Sequence, residues 1–576
     1  MAEKIISPGV FQNESDQSLV QRGIQGTATA IVGPTVKGAP FVPTYVTSYS
    51  EFTNKYGETF KSGSYYYEYL TSLAAKDFFQ NGGQTLLVTR VINGSGSVNT
   101  YSAASVPAFV SGSTTSSFTI ETLTWGDIMN NTSSLTSGSL GSGTMDNVRW
   151  EVTNVNTGSG IFTLAVRAGN DNNAQKNYIE TWPNLSLDPS LPNYISRVIG
   201  DAKYGWVYNA TDGTSYIQQT GSYANISQYI RVASVVNPQV DSIDNNGNYK
   251  ASTYSGSLPA VGSGSYGGSF AGGVAATVLS QSMNENITTT NIQGYTPADY
   301  LTAFNLLANK DDYQFNVLLA PGIVLGNSAV STMISTCEDR GDAIAIVDNA
   351  VYGTAVLTAA TNAAGQSSNY AATYWPWVQL FSSNLGKVVW SPASTVMGGV
   401  LAFNDQVGAE WFAPAGLNRG GVPSVLKAER RLSQSDRDTL YSANVNPLAT
   451  FPGNGVVVFG QKTLQRRATS LDRVNVRRLL IALKGFIGQV SNGLVFEQNT
   501  TVTRNRFLAQ VNPYMESVVQ RQGLYAYKVV MDDTNNTADV IDRNQLVGQI
   551  YVQPTKTAEF IILNFNILPT GATFPA

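Results

Sequence analysis

Histidine is absent from this 576-residue chain. Without an imidazole there is no Ser-His-Asp or Cys-His nucleophile system, no HExxH metalloprotease site and no two-histidine iron centre. Catalysis, if present, has to run on carboxylates, lysine or tyrosine. The single cysteine, Cys337, forms no intramolecular disulfide and no CxxC zinc or redox pair. It sits in the apolar-flanked stretch SAVSTMISTCED and is expected to be a small buried hydrophobe. Gly386-Lys387 is followed by Val388 and opens a strand-like run, so it lacks the GxxxxGK[ST] spacing of a phosphate loop. The segment DSIDNNGN (Asp241–Asn248) faintly resembles a calcium loop but has neither the closing bidentate Glu nor flanking helices, and reads as a turn. No carboxylate pair stands out for glycoside hydrolysis. No catalytic, cofactor-binding or metal-ligating residue is therefore assigned, and no cofactor is expected.

One grouping of charged residues remains. Between Asp472 and Val490 the apolar residues Val476, Leu479, Leu480, Leu483, Phe486, Ile487 and Val490 fall within an arc of roughly 120° at ~100° per residue, which predicts an amphipathic helix. Arg473, Arg477 and Lys484 line one border of that arc, with Arg478 and Arg504 nearby. Two readings stand: a solvated helix border, or an electrostatic contact with an acidic partner surface.

The whole chain sets the frame for these residues. Hydrophobic residues make up 42%, enough for several cores, and the length suggests roughly three or four domains or large insertions. Charged residues are only 13%, about half the usual share of a soluble protein. Uncharged polar groups and 53 glycines take their place. Such a surface suits extensive contact with other protein copies, because hydroxyls and amides cost less to desolvate than Lys or Glu. It equally suits β-rich, loop-rich domains. The net charge of −4 offers no basic excess for a phosphate backbone, so no nucleic-acid partner is expected. MAEKIISPGVFQNESD has no apolar core of signal-peptide length, and no run approaches the ~20 apolar residues needed to span a bilayer. The expectation is a soluble protein made in a cytoplasm, without direct membrane insertion.

Along the chain, residues 1–21 read as an extended N-terminal arm, with Ile5, Ile6, Val10 and Phe11 interrupted by Ser7-Pro8-Gly9. ATAIVG (Ala28–Gly33), a helix pattern through Tyr66, Leu70, Leu73, Ala74 and Phe78, and TLLVTRVI (Thr85–Ile92) form a strand–helix–strand unit. From about Asn93 to Asn291 the text turns to Ser, Thr, Gly, Asn and Tyr with short strands such as WEVTNV and IFTLAVRA, an inserted β-rich outer region. The α/β text resumes with the helix YTPADYLTAFNLLANKD and the strand-like runs Phe315–Gly322, Asp342–Asn349 and Lys387–Ser394. The resulting division is an α/β core over 22–92 and 292–421, an inserted region over 93–291, a C-terminal inner domain over 422–557, and a terminal strand or arm over 558–576. In that last segment AEFIILNFNIL alternates, with Ile561, Leu563, Phe565 and Ile567 on one face. Both ends read as strand donors.

Several of these segments also carry a family resemblance. NPLATFPGNGVVVFGQKTL, DRVNVRRLL, LVFEQNTTVTRNRF, TNNTADVIDRNQ and AEFIILNFN resemble, in that order, the C-terminal domain of contractile-tail sheath proteins, particularly those of T-even-like phages. ISPGVFQNESD, GTATAIVGPTVKGAPFVPTYVTSYSEFTNKYG, NGGQTLLVTRV and AEWFAPAGLNRGGV are similar to other parts of the family. The resemblance covers residues 1–92 and roughly 400–568, and leaves out about 93–291. It implies a multidomain α+β and α/β fold: a sheath core, a C-terminal sheath domain, an inserted β-rich region and extended arms. It further implies a structural virion protein, not an enzyme, whose subunits form hexameric rings stacked helically around a tail tube, bounded by baseplate and tail terminator proteins. Inter-subunit strand exchange would fall on Ile6, Pro8, Gly9, Val10, Ile561, Leu563 and Phe565. The basic residues Arg473, Arg477, Arg478 and Lys484 would face the tube. Two rivals predict other features. A polysaccharide depolymerase would show a regular β-solenoid period, and an adhesin or surface-layer subunit a secretion signal or anchor. Neither feature is found in the sequence.

Overall fold

The structure is a computed structural model. It describes residues 28–559 apart from 63, 93–100, 108–115, 132–137, 210–213, most of 237–256, 263–267 and 274–282. The N-terminal arm, the strand-exchange positions Ile6, Pro8, Gly9, Val10, Ile561, Leu563 and Phe565, and half of DSIDNNGN lie outside the described residues.

Continuous apolar runs need cover on both faces, and the central sheet meets that need with helices on either side. Its elements are β1 (Ala28–Gly33), β2 (Thr44–Val46), helix α1 (Leu70–Gln80) and β3 (Leu86–Arg90). After the insertion come α2 (Pro297–Leu307), β4 (Phe315–Val324), α3 (Ala329–Arg340), β5 (Ile344–Asp348), β6 (Ala371–Trp375), α4 (Ser394–Val407), β7 (Val445–Phe451) and β8 (Gly455–Val458). The eight strands lie in the order β2-β3-β1-β4-β5-β6-β7-β8. β3 to β7 pair in parallel, while β2 and β8 add antiparallel edges. Ala30, Val32, Leu87 and Leu318 bury against Phe304 of α2 and Met333 and Cys337 of α3. Ile31, Val88 and Leu319 point the other way, onto Phe78 of α1 and Val400 of α4. Thr296 starts α2 through a capping box with Asp299, and Pro297 occupies the first turn where its missing N–H costs nothing.

The inserted region folds around a core of its own. Strands Tyr101–Pro107, Ser116–Trp125 and Ile230–Val235 form one antiparallel sheet, and Val148–Asn156, Ile161–Ala168 and Tyr178–Ser186 another. Phe118, Ile120, Trp150, Phe162, Leu164 and Ile230 are all fully buried in the core these strands share. Arg167, completely enclosed, is neutralised by a two-pronged contact with Asp171 at 2.7 and 2.9 Å and by Glu151 at 3.1 Å. Back in the parallel sheet, Arg90 of β3 donates to the Gly38 and Trp125 carbonyls, which stitches the insertion to the core.

The strand order reverses between β1 and β4, and the crevice beyond the carboxyl ends of such strands is where open α/β sheets bind ligands. Here that crevice is filled. Gly322 of β4 adopts φ +94°, and a methyl group on it would press on Ile287, Ile292 and Leu70 within 3.1–3.3 Å. Leu70, Leu73, Ile287 and Trp377 close over it as a small buried cluster. At the tip of β5, the Asp348 carboxylate takes the Gly322 and Ser394 amides at 2.9 Å and the Ser394 hydroxyl at 2.7 Å. Those bonds tie β4 to α4. They leave the carboxylate occupied in holding the fold together.

Three elements differ from the sequence-based expectation. Tyr66 belongs to a hairpin strand, Tyr65–Glu68, paired with Thr59–Ser62, and the helix starts only at Leu70, after the aromatic run YYYEY. Lys387–Ser391 forms its own antiparallel sheet with Val378–Ser382 and Val425–Ala428 and is not part of the parallel layer. The place expected for it is taken by β6. The parallel layer also runs past residue 421, since β7 and β8 complete it.

Asp77 on α1 is buried against α4, and neither of its carboxylate oxygens has a hydrogen-bond partner among the described residues. Burial pushes its carboxyl up to about 7. The folded value lies above the unfolded one, so stability is fully present below about pH 4 and is lost as pH rises toward 7. Asp77→Asn is expected to raise the melting temperature relative to the native chain at pH 8 and to lose that advantage near pH 4. Parallel melting curves across this range would contradict the assignment.

Candidate assembly interface

The C-terminal unit is built from α5 (Val474–Asn492), α6 (Thr501–Gln520) and the hairpin β9 (Leu524–Val530) and β10 (Gln549–Pro554). Leu479 and Leu483 of α5 meet Phe507, Val511, Met515 and Val518 of α6, with Leu524 closing the core. Phe486 and Tyr514 stack with centroids 3.8 Å apart. α6 begins at Thr500, whose hydroxyl accepts the Thr503 amide.

The hairpin alternates as a half-buried sheet should. Tyr527, Val529, Ile550 and Val552 face the helices, while Tyr525, Lys528, Tyr551 and Gln553 face outward. It has two strands, and among the described residues no further strand pairs with either edge. An isolated two-stranded ribbon is marginal in water, and its free N–H and C=O groups are a template for another strand.

From β10 the chain crosses back toward the core and is caught at Glu559. Arg473 donates Nε and a terminal nitrogen to the two carboxylate oxygens at 2.7 and 2.9 Å. The Tyr441 hydroxyl donates at 2.9 Å and the Gln461 amide at 3.1 Å, and the same amide reaches Thr557 at 2.7 Å. Burial works against the charge on Glu559, but the donors from Arg473, Gln461 and Tyr441 outweigh it and hold the carboxyl below the usual Glu range. The reverse effect raises Tyr441, through burial and the facing Glu559 charge. Tyr441 and Gln461 come from the core side and Arg473 from the threshold of α5. Glu559 therefore pins the tail at the seam between the two units. Grooves of about 630 and 390 Å³ flank residues 554–559 on either side.

The predicted basic stripe is mostly turned inward. Arg473 caps the start of α5 and is held by Glu559. Arg477 is buried, stacked 4.0 Å over the Tyr370 ring and bonded to Asn369 at 2.9 Å. Arg478 is 2% exposed and grips Asp405 of α4 through two bonds of 2.8 and 2.6 Å. Arg504 is bonded to Asp533 at 2.6 Å. Of the four residues expected to face a tube, Lys484 alone is exposed, with its ammonium on the Tyr370 hydroxyl at 3.1 Å. Helical spacing placed Arg477 at the border of the apolar arc, with Arg478 nearby. It could not show that α4 and the Tyr370 loop cover that border. The Glu559 site had only one sequence signal, a carboxylate immediately ahead of an apolar alternating run.

The molecule thus combines a packed switch-point crevice, a hairpin whose edges no described strand pairs, and a tail clamped at a seam. A family model for the phage tail sheath protein central domain matches residues 293–464, and one for the phage tail sheath C-terminal domain matches residues 467–568. These two matched segments, together just under half of the chain, are where it is similar to phage tail sheath proteins. It is 40% identical over 185 residues to the tail sheath protein of Vibrio phage KVP40, covering 32% of this chain and 28% of that one. It is 33% identical over 302 residues to the tail sheath protein of Enterobacteria phage T4, covering 48% of this chain and 46% of that one. The matched segment thus spans less than half the length of either relative. The crystal structure of the sheath tail protein from Listeria innocua shares the fold, with TM-score 0.53 and 10% identity over 92% of this chain and 95% of that one.

Two substitutions separate surface from interior. Arg478→Met removes two charge-assisted bonds from the partly exposed Asp405 and is expected to cost about 2 kcal/mol in denaturant unfolding, as losing hydrogen bonds to a charged group does. Lys484→Glu is expected to stay within about 0.5 kcal/mol of the native chain, as exposed changes usually do. Equal effects of the two would contradict these placements.

Proposed function

We propose that this chain is the repeating subunit of a contractile tail sheath. Copies assemble as hexameric rings stacked helically around a tail tube, between baseplate and terminator proteins, and the stack shortens to drive the tube through the host envelope. Assembly takes place in the host cytoplasm and the product is part of the virion. The terminal segments exchange between copies: residues around Ile6, Pro8, Gly9 and Val10 and around Ile561, Leu563 and Phe565 add as strands to the open hairpin β9–β10 of a neighbour.

The observation that carries this reading is the Glu559 clamp beside that hairpin. The tail is held firmly one residue before its alternating apolar segment begins, and the hairpin next to it has edges to receive a strand. Strand addition forms many backbone hydrogen bonds at once, so the links persist while the domains they join rotate. A repeated head-to-tail contact that does not close gives an open helical array. Contraction then needs no nucleotide: the extended lattice is a metastable state that relaxes when its barrier is lowered. The filled crevice at the sheet's switch point supports a mechanical role. At the inner surface, the tube contact rests on Lys484, since its neighbours are engaged within the subunit.

Deleting residues 1–21 or 560–576 is expected to leave a monomer with unchanged melting temperature that no longer polymerises in sedimentation, whereas the full chain gives long striated tubes in negative stain. Truncated chains that polymerise like the full chain would refute the exchange. Lys484→Glu is expected to weaken assembly on tubes while leaving tube-free polymers intact, and unchanged assembly on tubes would count against that contact.

A further inference from the structure

The turn between α5 and α6 carries Val495 and Phe496, and the first turn of α6 Val502, which are 60, 101 and 78% exposed. Phe496 also has φ +69°, a backbone conformation that an aromatic residue adopts only under constraint. Strain spent on presenting a fully exposed phenyl ring points to a ring that is buried elsewhere. Beside it, Glu497 is exposed and its carboxylate has no partner among the described residues.

At the opposite end of α5 lies the groove of about 390 Å³, floored by Ala413, Ala415, Pro447 and Phe459. Its wall holds Arg437, whose guanidinium stacks over Phe451 and Phe459 and pairs with no carboxylate among the described residues. Asp438, at the same rim, is exposed to water. The groove, whose side is completed by Thr557, Ala558 and Glu559 of the tail, offers apolar floor for a phenyl ring, and Arg437 is the charge opposite to Glu497. Groove and ring cannot meet within one copy. The first residue of α5 is bonded to Gln461 of the groove, Phe496 lies beyond its last turn, and 19 helical residues hold them about 28 Å apart.

We propose that Phe496 of one copy seats in the groove of a second copy, with Glu497 paired to that copy's Arg437. The contact is head-to-tail and repeats along the array. It deepens the sheath reading by adding a side-chain contact to the exchange of terminal strands, and it makes residues 495–497 and 434–437 a specificity determinant between copies.

The test is disulfide trapping with Glu497→Cys and Gln434→Cys in the full chain at high concentration. The native Cys337 is buried, with its thiol pushed up by burial, and stays silent. The doubly substituted chain is expected to give a ladder of covalent dimers, trimers and higher species on oxidation, each single variant no more than dimers, and the added change Phe496→Asp loss of the ladder. No species above dimer, or a ladder unaffected by Phe496→Asp, overturns the proposal. So does a ladder that forms only after residues 560–576 are deleted, which would assign the groove to the chain's own tail. Negative stain of the same samples separates the two claims. Tubes without a ladder sink this contact and leave the sheath reading standing, while a ladder without tubes supports the contact and sinks the sheath reading.

Discussion

The two-pronged bond between Arg473 and Glu559 joins three parts of the molecule that the chain visits far apart. Arg473 opens the long helix of the C-terminal unit, Tyr441 and Gln461 belong to the segment around the last strands of the parallel sheet, and Glu559 stands at the threshold of the terminal segment. Charge-assisted, bidentate and partly shielded from water, it belongs to the stronger class of polar contacts. Its effect is directional. It lets the chain before Glu559 share the rigidity of the domain and gives the chain after it a defined point of departure. A linker meant to carry load between copies requires such an anchor.

The rest of the architecture serves rigidity. Arg478 fastens the C-terminal helix to α4 through Asp405, and Asp348 fastens α4 to the parallel sheet through Ser394 and Gly322. Hydrogen-bonded pairs thus link the root of the tail, through α5 and α4, to the sheet. The α/β layer has the strand order that in other settings cradles a ligand, yet Ile287, Ile292 and Leu70 occupy the crevice and turn it into packing. The insertion carries its own core and meets the parallel sheet at Arg90 and, through Ile287, at the crevice.

Local signals were legible where local physics decides. Ala28–Gly33 reads as a buried strand because six apolar or small residues end at Pro34, and the helix after Asp472 reads from its 3.6-residue period. Cys337 was expected inside and is inside. What failed to show was decided by distant partners. Ala371–Trp375 has no period to distinguish it, and is a central strand because Ala345 and Val445 flank it. Lys387–Ser391 has the composition of a core strand but pairs elsewhere. Arg477 sits at a helix border that amphipathic reasoning assigns to solvent, with Arg478 nearby, and only the approach of Tyr370 and Asp405, more than seventy residues earlier, buries them. At the candidate site the sequence suggested a strand-forming tail, which lies outside the described residues, and gave no sign of the donors that hold Glu559.

The central claim is that the hairpin β9–β10 receives strands from other copies. Hydrogen–deuterium exchange over residues 524–530 and 549–554 tests it most directly, comparing free chain with assembled tubes. The outward-facing edge amides are predicted to exchange quickly in the free chain and to become protected by orders of magnitude in the tubes. Edge amides that exchange equally fast in both states would contradict the account.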